Sequence, residues 1–532
     1  MTAVLFVSAS ADAATYYVAT NGSDGASGSL TSPFRTLTKA AGLLRAGDVV
    51  NVRGGIYKET VQITAKGTAD ARIVIRSYEG EAAIFDGTGT TRDENVITLY
   101  KSAYVDLSGF EVRNAGQIGI CSWGSNNVRI LNNTVHHSYR NGIYVGWDTF
   151  GVSYDNVVDG NVVYNNVLEN ANRAFPNGGW ATGVSMNYTD RGRVTNNRIY
   201  ENDGEGVVTI LSKYTLIEGN EISDNFSVGV YVDNARFVKV NANLIYSTGN
   251  SRYYRLGYPA SGLATANELY DHALPSSDNT FTNNIVINSR WGFFYGAYDA
   301  GGGLKNAVVA NNTFYKAAST MIWIEKDSHA NNVFENNIFY QVGGHGMLDV
   351  TGNGVTYRNN VWYGAPINAG ATDIIADPRF ANPGGFRAAD YKLTSLSPAI
   401  HGGLDLSNIV RDDFFGAARP STFDIGAHQF TTNSVPVTPT LTSPSNLTGT
   451  ATGARTIALT WSASPINGVQ YAIYRDGALV ATVTTPQWTD SSLAANTTYT
   501  YQVSVMLNTN ESPRSVGVPV KTQGNPRRRA VG

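Results

Sequence analysis

Five residues carry the types and spacing that acid–base chemistry would need. Lys213 and Arg236 are separated by 23 residues, with Asp190 another 23 before Lys213. Asp233 and Glu268 are acids in the same stretch. A base that takes the proton next to a carboxylate, with a cation to steady the resulting enediolate, would cleave a uronate by β-elimination; Lys213 and Arg236 suit those roles. Two carboxyl groups flanking one glycosidic bond would instead act as acid and base of a hydrolysis, and Asp233 with Glu268 suit that. A third possibility is cation binding. Glu205, Asp233 and Asp271 are hard oxygen donors of the kind Ca²⁺ prefers. Tyr270-Asp271-His272 is the one local group in which an acid could orient a histidine.

These residues need elements to position them, and the sequence supplies a repeat. Gly183-Val184-Ser185-Met186-Asn187, Gly206-Val207-Val208-Thr209-Ile210 and Gly229-Val230-Tyr231-Val232-Asp233 align without gaps at a step of 23. Asn197, Asn220 and Asn243 align later in the same units. The pattern continues upstream through Asn133 and Asn161, and downstream through Asn283, Asn312, Asn336 and Asn359. A unit of this length is one coil of short strands that cannot bury its apolar face alone, so coils must stack. The expected fold is therefore all-β, a right-handed parallel β-helix with an internal asparagine column at one bend. Strand alternation turns Val184, Val207 and Val230 inward, and Ser185, Val208, Tyr231 and Asp233 outward.

Residues that break the repeat cluster at 147–151, 247–261 and 297–303. Insertions of this kind wall the outward face of a sheet. Aromatic side chains crowd the same region. Tyr144, Trp147, Tyr188, Tyr231, Tyr254, Tyr298 and Trp323, with Arg255, are the candidate sugar contacts, because aromatic faces stack on sugar rings.

Residues 15–430 resemble the pectate-lyase-like superfamily of secreted β-helix proteins. The resemblance rests on Thr15-Tyr16-Tyr17-Val18-Ala19, Ser32-Pro33-Phe34-Arg35-Thr36-Leu37, Gly47-Asp48-Val49-Val50, Gly55-Ile56-Tyr57-Lys58-Glu59 and Asp424-Ile425-Gly426-Ala427. It implies a capping helix near 37–44, a polysaccharide substrate, and either lyase or glycosidase activity. Gly204-Glu205-Gly206-Val207-Val208 with Ser212-Lys213 is similar to the motif of the alginate lyase and chondroitinase B family, which implies Lys213 as base and Glu205 as a Ca²⁺ ligand. That family's Arg-His-Gly on the next coil is replaced here by Asp233-Asn234. Residues 438–522 resemble a fibronectin type III β-sandwich, carried by Leu459-Thr460-Trp461-Ser462, Tyr471 to Gly477 and Tyr499-Thr500-Tyr501-Gln502-Val503, with Trp461 in its core and Tyr499 at the tyrosine corner.

Composition narrows the remaining classes. A net charge of −3 gives no drive toward nucleic acid or anionic membranes, and no segment is apolar and long enough to span a bilayer. One cysteine, Cys121, forbids an intrachain disulfide or a cysteine metal cluster. Residues 1–13 read as the end of a signal peptide, which predicts a secreted protein, expected to act as a monomer. The expected order is 14–430 β-helix, 431–437 linker, 438–522 fibronectin module and 523–532 disordered tail. A lyase on a uronic-acid glycan is the leading expectation. An inverting glycoside hydrolase is the alternative, and a non-catalytic glycan-binding adhesin the third.

Overall fold

The computed structural model describes residues 13–175, 178–268, 270, 275–298, 302–325, 327–365, 367, 369–431, 441–464, 469–507 and 510–524. Most of the signal-like segment, the expected linker after Thr431, most of the C-terminal tail, Asp271 and His272 lie outside these residues. Two compact units divide the chain: Met1–Phe380 with Tyr391–Phe430, and Ala381–Asp390 with Thr431–Gly532.

The first unit is the expected parallel β-helix. Three parallel sheets of 13, 11 and 13 strands run its length. The first strand of each coil belongs to the 11-stranded sheet, where Thr182–Asn187, Glu205–Ile210, Val228–Asp233 and Ser261–Ala266 are consecutive neighbours. Val184, Val207, Val230 and Leu263 pair in register and are fully buried. Repeating β-branched residues suit this inner wall, since each coil places the same side chain over the one below. Further along, the interior becomes aromatic: Phe314, Phe339 and Trp362 stack with centroids 5.0 and 4.4 Å apart.

Asn197, Asn220 and Asn243 form one column. The side-chain oxygen of each accepts the backbone N–H of the asparagine one coil below, at 3.0 Å for both steps. The same oxygen also accepts the lower residue's side-chain amide, at 2.9 Å in both. The column runs from Asn133 and Asn161 at one end to Asn284, Asn312, Asn337 and Asn360 at the other. Three positions differ from the sequence expectation by one residue. Asn283, Asn336 and Asn359 do not ladder; they precede the ladder residue and hold left-handed backbone, with φ of 54°, 55° and 52°. Asparagine is the non-glycine residue best tolerated there, so each Asn-Asn pair serves two different needs. A second column, Asn166, Asn202 and Asn225, follows the third strand.

The capping helix spans Leu37–Ala41, shorter than expected. Thr36 caps it by accepting Lys39 N–H at 3.1 Å. Glu59 accepts the backbone N–H groups of Leu37 and Thr38 at 2.9 and 3.1 Å, which satisfies two more of the donors a helix start leaves open.

The second unit contains the fibronectin type III β-sandwich, with antiparallel sheets built on Ile457–Thr460 and on Gln470–Arg475 with Thr498–Leu507. Trp461 packs with Tyr471, Ile473 and Val503 in its core. The Tyr499 hydroxyl accepts Ala494 N–H at 2.9 Å, tying the corner to a residue five earlier.

Candidate active site

The outward face of the 11-stranded sheet is covered between the coils of Val208 and Phe294. Val208, Tyr231, Ala264 and Phe294 point away from the helix core, yet all are buried, in a separate apolar cluster with Ile210, Trp291 and Trp323 against them. Loops therefore close over this part of the face, and the acids sit among them.

Asp233 ends its strand on this face and is 0% exposed. Glu268 follows the next coil's strand and is half-buried. The Tyr270 hydroxyl lies between them, 2.7 Å from Asp233 Oδ2 and 3.0 Å from Glu268 Oε2. Tyr231 donates to the other Glu268 oxygen at 2.6 Å. Asn234 fixes the segment from below, accepting Glu268 N–H at 2.6 Å. Both Glu268 oxygens thus lie within hydrogen-bond reach of a phenol, with the single Tyr270 proton shared between Glu268 and Asp233. Asp233 Oδ1 is buried without a hydrogen-bond partner among the described residues.

Glu205 completes the group from two coils below. Burial, followed by the charge of Glu268, pushes its carboxyl up to about 8; a hydrogen bond from Trp180 and the charge of Arg255 act the other way. Burial, followed by the charge of Glu268, also holds Asp233 well above the usual carboxylate range. At neutral pH the cluster therefore combines acids that keep a proton with one carboxylate clamped between two phenols. Burial likewise pushes the Tyr231, Tyr270 and Tyr298 hydroxyls up, so all three remain donors.

Insertions supply one wall and the later coils the other. Arg255 lies over the Trp180 ring at 4.8 Å and donates to Ser227 Oγ at 3.0 Å. On the C-terminal side Trp291, Phe294 and Trp323 form a stack with centroids 4.8 to 5.2 Å apart. Arg290 sits 4.0 Å over Trp291. Tyr298 packs beside Phe294 at 6.1 Å and is 45% exposed. Gly296 makes room for it, since a Cβ there would lie 2.6 Å from the Tyr298 ring.

The other expected residues fall elsewhere. Asp190, Lys213 and Arg236 do stack on successive coils, bridged through their backbones. Their side chains go to local partners: Lys213 Nζ lies 5.0 Å over the Phe150 ring, and Arg236 donates to Ser277 Oγ at 2.8 Å. No hydrogen bond or ion pair joins either cation to the carboxyl cluster among the described residues. Tyr188 packs on Phe150 at 4.9 Å. Tyr254 lines a different cavity, with Ser247, Pro259 and Lys316. Tyr144 and Trp147 stand with Trp123 nearer the N-terminal end of the sheet. Trp180 was not anticipated. Its signal was the step from Gly142 to Gly183, 18 residues longer than the repeat, which marks an insertion.

Of the expected Ca²⁺ ligands, Asp271 lies outside the described residues and Asp233 Oδ2 is 2.7 Å from the Tyr270 hydroxyl. Among the described residues no three acid or histidine side chains gather to hold a metal ion.

Residues 16–252 match the family model described as Pel9A-like, right handed beta helix region. The uncharacterized protein YwoF of Bacillus subtilis is 27% identical over 397 residues, 65% of this chain and 80% of YwoF. Pectate lyase PEL9 of Emericella nidulans is 32% identical over 160 residues, 27% of this chain and 38% of PEL9. Among solved structures, XylC in its complex with xylose has a TM-score of 0.57 at 14% identity, covering 78% of this chain and 98% of XylC. Enzyme families that degrade polysaccharides thus share this architecture. By its three parallel sheets and by that match over residues 16–252, this chain is a right-handed parallel β-helix similar to the Pel9A-like region, with a fibronectin type III-like β-sandwich at its C-terminus.

Proposed function

We propose that this protein is a secreted glycoside hydrolase whose catalytic groups are the carboxyls of the 11-stranded sheet. The observation that carries this reading is the Glu268 carboxylate held by Tyr231 and Tyr270 opposite acids that retain their protons. Glycoside hydrolysis needs this pairing: one carboxyl protonates the leaving oxygen while a second, ionised, attacks the sugar or activates water. Glu205 is the general acid, because it is half-buried toward the groove and still protonated near neutrality. Glu268 is the base or nucleophile. Asp233, fully buried, acts through Tyr270 to hold Glu268 in place. Trp180, Tyr298, Trp291 and Trp323 bound the space for the sugar, and Arg255 and Arg290 brace those rings.

β-Elimination through Lys213 is the second reading, favoured by the pectate lyase relative. It needs Lys213 to leave Phe150 and meet a uronate on a face that also holds the Asp233 and Glu268 acids. Product analysis separates the two. Incubation with a panel of polysaccharides is expected to release reducing ends with no near-ultraviolet absorbance. An unsaturated, absorbing product would establish the lyase. The anomeric configuration of the first product, followed by NMR, then reports whether Glu268 attacks the sugar or activates water.

A further inference from the structure

The same sheet carries a second aromatic site toward its N-terminal end. A cavity of about 490 Å³ is lined by Gln62, Asp93, Glu94, Tyr100, Trp123 and Trp147 among others. Trp123 is 38% exposed, with Trp147 edge-on at 6.0 Å and Tyr144 at 6.1 Å. Trp147 is seated on Gly124, which has φ of 64°; a Cβ there would lie 2.6 Å from the indole. Lys101 Nζ lies 5.2 and 5.3 Å over the rings of Tyr100 and Trp147, covering one face of each. The ring positions are therefore built by the fold, not left by chance on a loose loop.

The position of this cavity is what gives it meaning. Tyr100 and Trp123 pair in register, and the same row continues through Gly146, Asn187 and Ile210 to Asp233. Four strand steps separate Trp123 from Asp233, about 19 Å along the helix axis. A pyranose unit in an extended glycan is close to one strand spacing long, so roughly four sugars would span the gap. Between the two ends the row holds Gly146, Asn187 and Ile210, which form the track from Trp123 to Asp233.

The charge of the lining selects the sugar. Asp93, Glu94 and Asp148 line the aromatic floor, and Lys101 packs on its rings. A uronate would bring its carboxylate against three like charges. Neutral sugar hydroxyls donate to such carboxylates, and the apolar ring face rests on the exposed indole of Trp123.

We propose that the Tyr100–Trp123–Trp147 cavity is a distal subsite for a neutral sugar of the same glycan chain that is cleaved at Glu268. This rests on the hydrolase reading for the far end of the track, and the test is arranged to separate the two. Glu268→Gln in the full chain is titrated by calorimetry with short and long neutral xylo-, manno- and gluco-oligosaccharides, and with oligogalacturonides. Chains long enough to reach both sites are expected to bind at least about tenfold tighter than trimers. Trp123→Ala is expected to abolish that gain and leave trimer binding unchanged, while Trp123→Phe restores part of it. Tighter binding of galacturonides, or a length gain that survives Trp123→Ala, overturns the proposal. If the wild type binds neutral chains through Trp123 but cleaves none, the hydrolase reading falls and the subsite stands. Cleavage with no dependence on chain length or on Trp123 has the opposite meaning.

Discussion

Replacing Glu268 by Gln tests the carboxyl cluster from two sides. The amide is nearly isosteric: its oxygen can keep the Tyr231 bond, and its NH₂ can donate to the Tyr270 oxygen, leaving the Tyr270 proton to Asp233. The lost charge is what matters. Glu205 has a native value of about 8 against an ordinary 4.5. Between those values the native state holds a proton that the unfolded chain has released, so stability falls as pH rises through this window and levels off above about 8. The fully shifted group would account for about 5 kcal/mol, at about 1.4 kcal/mol per unit, and burial supplies the larger part. Repulsion by the Glu268 charge supplies part of the remainder, on the order of 1–2 kcal/mol at an effective dielectric of 20. Glu268→Gln is therefore expected to melt a few degrees above the wild type at pH 8 and together with it at pH 5, where the neighbours are protonated. Its hydrolytic rate should fall by about 10²–10⁴. Circular dichroism melts at several pH values and a reducing-end assay measure both. A variant that is less stable at pH 8, or that shows the wild-type slope between pH 5 and 8, would refute the idea of mutually repelling acids.

Other consequences follow from the same geometry. Tyr270→Phe removes the hydroxyl shared by Asp233 and Glu268; losing one charge-assisted bond, worth about 1.5–3 kcal/mol, should lower kcat/KM by about 10- to 100-fold with KM little changed. An effect on KM alone would show that Tyr270 only binds sugar. Asn220→Ala strips the Asn197 backbone N–H and side-chain amide of their acceptor inside the column, and should cost about 2–4 kcal/mol in urea unfolding, whereas exposed Lys239→Ala should cost almost nothing. Equal costs would show that the column is not a stabilising element. EDTA should leave hydrolysis unchanged, given the phenol-occupied carboxyl oxygens; loss of activity restored by Ca²⁺ would point to a metal-assisted elimination instead. Truncation near residue 435 should leave turnover of soluble glycan intact, since Trp461 and its neighbours form a core of their own.

Much of the architecture was legible because stacking repeats one environment at a fixed step. Val184, Val207 and Val230 must all face the same interior, so a 23-residue period reveals the coil, the inward side and the outward side together. The limit appeared where two identical residues adjoin. In Asn283-Asn284, Asn336-Asn337 and Asn359-Asn360 one asparagine adopts left-handed backbone and the other ladders, and composition cannot say which. The site shows a sharper division. Sequence alone placed Asp233, Tyr231 and the segment of Glu268 on one face, because alternation along a strand is a local property. It could not show that Tyr270 reaches both carboxyls, that Trp180 arrives from an insertion to touch Glu205, or that Lys213 turns to Phe150. Those contacts depend on how irregular loops fold back over the sheet. No period governs such loops, so tertiary packing alone decided which charges meet.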